Sequence, residues 1–180
     1  GVPVLQLAPP APQRHYVIEC SSYQIDLSPS IDPTVGIMLN VTPDHIDRHG
    51  TIEHYAAVKS RVLDRAKFRI IGVDDDYGRD MAKNIAAMQR KIIPISIKGI
   101  VPHGYVGGER NIYRTGASEA EDIADLTGIG SLRGSHNMQN AVAAIAACSA
   151  LGVDDATLQD GLRSFPGLAQ IGLFAVTGVA

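Results

Sequence analysis

Along the chain, apolar residues fall into short blocks separated by polar or proline-rich stretches. Val2 to Leu7 and Tyr16 to Glu19 read as strands, and Pro9, Pro10 and Pro12 force an extended loop over Ala8 to Gln13. A polar connection around Pro29 leads to a third strand at Val35 to Val41. Phe68 to Val73 and Lys91 to Ile97 follow as further strands. Between them the period changes. Thr51 caps a helix that runs to about Ala66, and Asp76 to Met88 forms a second. Alternating strands and helices predict an α/β fold, a mostly parallel sheet with helices on both faces. From Gly99 the chain is glycine-punctuated, and Gly104 to Gly108 with Asn111 to Arg114 predicts a small antiparallel sub-sheet. Ser135 is expected to cap a long helix from His136 to Leu151 that Gly152 closes. Asp154 or Asp155 opens a last helix, ended by Pro166.

Two of the apolar blocks, Tyr16 to Ile18 and Val35 to Leu39, stop at polar clusters. Buried parallel strands look like this where their carboxyl ends open into a site, and open α/β sheets bind ligands at those ends. Glu19, His45 and Lys59 are therefore expected to converge on one edge of the sheet. Lys59 carries the most local information. Ile52, Tyr55, Ala56, Lys59, Val62, Leu63 and Ala66 follow the spacing of one apolar helix face, with the lysine in its middle. Spacing leaves two readings open: a buried or half-buried amine, where charge is costly, or a side chain that snorkels to water.

Composition narrows the class. The chain has 180 residues, 45% apolar and 19% charged, enough for one domain with a real core. A net charge of -3 argues against nucleic acid or an anionic membrane as partner. No apolar run is long enough for a membrane span, and a cytoplasmic setting is expected. Cys20 and Cys148 have neither metal nor redox spacing. The first residue is glycine, without the charged start of a signal peptide, so the chain reads as the interior of a larger protein.

The remaining constellations each have a plain structural reading. Glu19 fits an ordinary strand-end acid, or one carboxylate of a magnesium site completed by phosphate and water. Asp44-His45-Ile46-Asp47 fits a turn with capping aspartates. His45, His49 and His54 have no structural-zinc spacing, and imidazole is a soft ligand for magnesium. Asp74-Asp75-Asp76 is read as a helix start that favours acids. Asn137 and Asn140, three apart, share a face at the start of the long helix, where amides can bond a base or simply stand by.

Four motifs together resemble the Mur ligases in order and spacing. They are Glu19-Cys20-Ser21-Ser22-Tyr23-Gln24, Asn40-Val41-Thr42-Pro43-Asp44-His45-Ile46-Asp47-Arg48, Tyr55-Ala56-Ala57-Val58-Lys59 and His136-Asn137-Met138-Gln139-Asn140-Ala141. The first has the form found in the D-glutamate-adding branch. The resemblance spans residues 1–169, read as a partial central ATP-binding domain, and leaves 170–180 as an unassigned tail. It implies ATP-dependent amide formation through an acyl phosphate, joining D-glutamate to UDP-N-acetylmuramoyl-L-alanine in peptidoglycan precursor synthesis. It also implies that Glu19 and His45 hold Mg2+ and that Lys59 is carbamylated. Asn137 and Asn140 would approach ATP, and Ser21 and Gln24 the muramoyl substrate. The family's glycine-rich phosphate loop, with its strand and helix, would precede Gly1, and its amino- and carboxy-terminal domains lie outside this stretch. By itself this chain is therefore expected to be inactive. Two alternatives stay open: a non-catalytic remnant or binding module with the ligase fold, or a relative that adds a different amino acid.

Overall fold

The computed structural model describes residues 4–12, 14–44, 46–167 and 176–179. An eight-stranded sheet organises the chain, in the order β1-β8-β2-β3-β4-β5-β6-β7. The strands are β1 (Tyr16–Glu19), β2 (Val35–Met38), β3 (Phe68–Gly72), β4 (Ile93–Ser96), β5 (Tyr105–Gly107), β6 (Asn111–Thr115), β7 (Ala120–Asp125) and β8 (Val176–Val179). β2 through β5 pair in parallel. β8 runs antiparallel to both β1 and β2, so those two point the same way without touching. β6 and β7 continue the sheet as an antiparallel meander. The helices are α1 (Ser22–Asp26), α2 (Ile46–His49), α3 (Ile52–Asp64), α4 (Asp76–Ala87), α5 (Ser135–Ala150) and α6 (Asp155–Ser164). Among the described residues no helix is long and apolar enough to cross a membrane.

The strand period of two sorts side chains into two cores. Val35, Ile37, Ile70 and Ile95 face α5 and α6, and join Val142, Ile145 and Leu158. Met38 and Ile71 face the other way, with Val58, Val62 and Leu63 of α3 and Ile85 of α4. Alternation along buried strands is what places a helix layer on each face. Ile37, Ile70, Ile71, Leu63 and Val142 are almost fully excluded from water, each contributing about 1.5–3 kcal/mol. α3 approaches β2 closely because residue 36 is glycine. A Cβ there would stand 2.1 Å from the Val62 carbonyl oxygen.

Several expected elements shift. The expected first strand is instead a single 3-10 turn over Val4–Gln6, with Leu5 fully exposed and burying nothing. Val2 of that expected strand lies outside the described residues. The third strand stops at Met38, three residues early. Gly134, not Ser135, occupies the cap of α5. Its φ of 90° is a left-handed conformation that serine adopts only with strain. Thr51 caps α3 as expected, and of the two aspartates expected to open α6 it is Asp154 that caps it, each accepting from a backbone N–H three residues on. β7 is unexpected, because its Ala-Glu-Asp-Ile-Ala-Asp sequence lacks strand propensity. Pairing with β6 overrides that. Arg114 sits opposite Glu121 and bonds it at 2.9 Å, while its other nitrogen bonds Asp155 of α6. Of the tail, 170–175 and 180 lie outside the described residues, and 176–179 form β8.

Gly36→Ala tests the close contact of α3 with β2. It is expected to lower stability by about 1–3 kcal/mol, read as a lower urea midpoint at unchanged slope.

Candidate functional site at the carboxyl edge of the sheet

Because β1 to β4 are parallel, their carboxyl ends share one edge. There β2 leaves the sheet after Met38, and Leu39, Asn40 and Val41 lose the strand ladder. Their polar groups need other partners. Three helices supply them. Gln139 of α5, only 8% exposed, donates through Nε2 to the Leu39 carbonyl at 3.4 Å and accepts from Asn40 Nδ2 at 3.1 Å. Asp75 accepts from the Val41 N–H at 3.1 Å with one carboxylate oxygen. With the other it caps α4 through the Gly78 N–H at 2.8 Å. Lys59 of α3 donates to the Asn40 carbonyl at 2.7 Å. Gly72 makes room for this junction. A Cβ there would fall 1.8 Å from the Leu39 carbonyl oxygen.

Lys59 is half-buried, and its Nζ lies 5.2 Å from the centre of the Tyr55 ring. Burial pushes its pKa below the ordinary lysine value, opposed by the negative charges of Asp75 and Asp44. This resolves the two readings left open by spacing: the amine turns into the sheet edge. Tyr55 shifts upward, through burial and then the charge of Asp44. The neutral amine of Lys59 is thus more accessible than that of a surface lysine, and it stands at the place where α/β sheets bind ligands. Asp74 braces the same edge, accepting from Ser96 Oγ at 2.5 Å and the Ile97 N–H at 2.9 Å. The aspartate run is therefore a helix cap and a brace between strands.

Glu19 closes β1 and is exposed. With β8 between them, the ends of β1 and β2 are ~10 Å apart. Ser21 and Gln24, both exposed, form a reciprocal capping box on α1, with Ser21 N–H donating to Gln24 Oε1 at 2.8 Å. His45 lies outside the described residues. His49 does not join a metal cluster. It is buried, its Nε2 is 3.0 Å from Ser22 Oγ, and its ring packs against Tyr23, His54 and Tyr55. Among the described residues no group of three His, Cys, Asp or Glu side chains is arranged to hold a metal. Asn137 donates to the Arg133 carbonyl at 2.7 Å. With Asn140 it lines a groove of about 730 Å³ between α5, α6 and the sheet, whose floor includes Ile37, Leu39, Ala141 and Leu162.

The Mur ligase middle domain model matches residues 4–148. The chain belongs to the Mur ligase family. It is 53% identical over 169 residues to a UDP-N-acetylmuramoylalanine--D-glutamate ligase of Chelativorans sp. (strain BNC1), covering 94% of this chain and 36% of that one. It is 54% identical over 172 residues to the enzyme of the same name in Rhodopseudomonas palustris (strain HaA2), covering 94% and 37%. The chain thus spans about a third of the length of these relatives. A crystal structure of MurF from Acinetobacter baumannii superposes with TM-score 0.60 at 23% identity, covering 81% of this chain and 32% of that one. A UDP-N-acetylmuramate:L-alanyl-gamma-D-glutamyl-meso-diaminopimelate ligase from Neisseria meningitides gives TM-score 0.58 at 18% identity, covering 74% and 40%. These structures establish a Mur ligase fold for the chain, with its mostly parallel sheet and antiparallel extension.

Sequence spacing missed Gln139. Its signal was there, since 139, 142, 143 and 146 fall on one face and the other three are Val142, Ala143 and Ala146, all buried. A glutamine in that row must find partners inside. His49 was weighed only as a zinc ligand, and its partner Ser22 lies 27 residues away.

The His49 cluster can be tested by mutation. His49→Ala is expected to cost about 2–4 kcal/mol through the lost ring contacts, and Ser22→Ala about 1–2 kcal/mol through an unpaired imidazole nitrogen. Denaturant titration should show the double variant to be less destabilised than the sum of the two.

Proposed function

We propose that this chain is the central, ATP-binding part of a ligase that joins D-glutamate to UDP-N-acetylmuramoyl-L-alanine. The single observation that carries the reading is Lys59, a half-buried amine of lowered pKa held at the carboxyl edge of the sheet by the Asn40 carbonyl. The relatives named as D-glutamate ligases support the substrate pair. In this reaction ATP transfers its γ-phosphoryl group to the terminal carboxylate of the muramoyl substrate. The amine of D-glutamate attacks the acyl phosphate, phosphate leaves, and an amide forms.

Each residue has a role in that chemistry. The neutral Lys59 amine attacks carbon dioxide, forms an N–C bond and releases one proton to solvent, leaving a carbamate. One N–H remains on the nitrogen and is able to donate to the Asn40 carbonyl. Glu19, an exposed carboxylate at a strand end, fits magnesium, a hard ion that takes oxygen ligands and keeps several waters. His45 is assigned beside it by the family motif. Magnesium, when bound, neutralises charge on the phosphates. Asn137 and Asn140 line the groove along α5 and offer amides toward ATP. Ser21 and Gln24, at the exposed start of α1, face the muramoyl substrate.

In the full-length ligase that carries this segment, Lys59→Ala is expected to lower turnover by about 10²-fold or more. A short carboxylic acid in the buffer should partly restore it, by standing in for the lost anion. Near-normal turnover without the acid would refute the carbamate role. The isolated chain has no glycine-rich phosphate loop with its lysine. Calorimetry with ATP and magnesium is expected to show weak binding or none, and micromolar binding would contradict the reading.

A further inference from the structure

Gln139 lies on α5 between the two asparagines assigned to ATP, but it faces the other way, into the protein. Its amide bonds two consecutive residues, the Leu39 carbonyl through Nε2 and the Asn40 side chain through Oε1. That pair lies just past the last paired residue of β2, where the ladder no longer holds the backbone. The carbonyl of the clamped Asn40 is the acceptor for Lys59 Nζ. Tyr55 lies beneath Lys59, and Asp44 and Asp75 act on it through charge.

We propose that Gln139 is a positioning residue, which fixes the Leu39 carbonyl and the Asn40 side chain so that the Asn40 carbonyl holds the Lys59 nitrogen in place for reaction. The motif on α5 then has two faces with two tasks. Asn137 and Asn140 look toward the groove, and Gln139 ties the same helix turn to the lysine on α3. A buried amide is suited to this work. It holds N–H donors and a carbonyl acceptor in one fixed plane, and either side left unpaired in the interior is costly. α5 is well placed as the anchor, since Met138, Ala141, Val142 and Ile145 bury it against the sheet. The inference rests on the proposed role of Lys59 only for its catalytic part, because the clamp itself is a structural claim.

Two measurements separate those parts. The first is hydrogen exchange by NMR on this chain. The Asn40 side-chain amide should be protected, and Gln139→Met, close in shape but without the amide, should reduce that protection by about tenfold or more. Should Gln139→Met fail to fold, Asn40→Ala removes the same bond from the other side. Gln139 Oε1 then loses its donor, and the amide, left on the 3.4 Å bond from Nε2 to the Leu39 carbonyl, should exchange faster at Nε2. An Asn40 amide that is already unprotected in the parent chain, or one unchanged by Gln139→Met, overturns the clamp.

The second measurement is steady-state kinetics in the full-length ligase. Gln139→Met should lower kcat by roughly 10- to 100-fold, as expected for a misplaced reacting group, with KM for ATP changed less than about twofold. Combined with Lys59→Ala it should add nothing, because both act through the same nitrogen. Additive losses, or a rise in KM alone, would mean that Gln139 does not act through Lys59 and would overturn the proposal. Normal turnover of Lys59→Ala alone would remove both the carbamate role and the catalytic part of this inference. The exchange data would still decide whether the clamp exists.

Discussion

A strand that leaves a sheet inside a protein must hand over its backbone hydrogen bonds, and this constraint governs the site. Past Met38 the β2 ladder ends, yet Leu39 and Val41 remain buried. Water cannot serve their carbonyl and N–H groups there, so side chains from three helices do. One tripeptide thereby sets the relative positions of α3, α4 and α5. The glycine at 72 belongs to the same solution, because it lets β3 pass beneath the junction. Packing of the two cores supplies stability, but this handover sets the geometry of the edge.

The electrostatics of Lys59 follow from it. A lysine on an apolar helix face would ordinarily stretch to water. Here a carbonyl within reach gives the ammonium or amine a partner, and burial in the surrounding core lowers the pKa of the amine. Asp44 and Asp75 oppose that shift without cancelling it. Asp75 is already committed to two backbone N–H groups, which keeps it in place as a fixed charge beside the lysine.

Much of this was legible in the sequence, for physical reasons that differ by residue. Lys59 stood out because it interrupts a helical apolar row. The alternation of buried strands and capped helices was enough to predict the parallel sheet, the cap at Thr51 and a last helix opened at Asp154 or Asp155. The cap of α5 was misread because Ser135 is a good cap by type, whereas a left-handed backbone demanded Gly134. β7 was invisible because its pairing with β6, and not its own composition, makes it a strand. The Gln139–Asn40 and His49–Ser22 bonds join residues far apart in the chain, where local periodicity carries no information. The metal and nucleotide roles proposed for Glu19, His45, Asn137 and Asn140 rest on family motifs alone, since a strand-end acid and helix-start amides need no ligand to account for them.

The sheet also joins two extremes of chain connectivity. β5, β6 and β7 follow one another with short turns, so their pairing closes small loops. β8 reaches β1 and β2 only after nearly the whole chain has passed between. Loop-closure entropy favours the meander early and the β1–β8–β2 seam late. While β8 is undocked, β1 and one edge of β2 carry open hydrogen-bonding groups, a ready template for a strand from another chain.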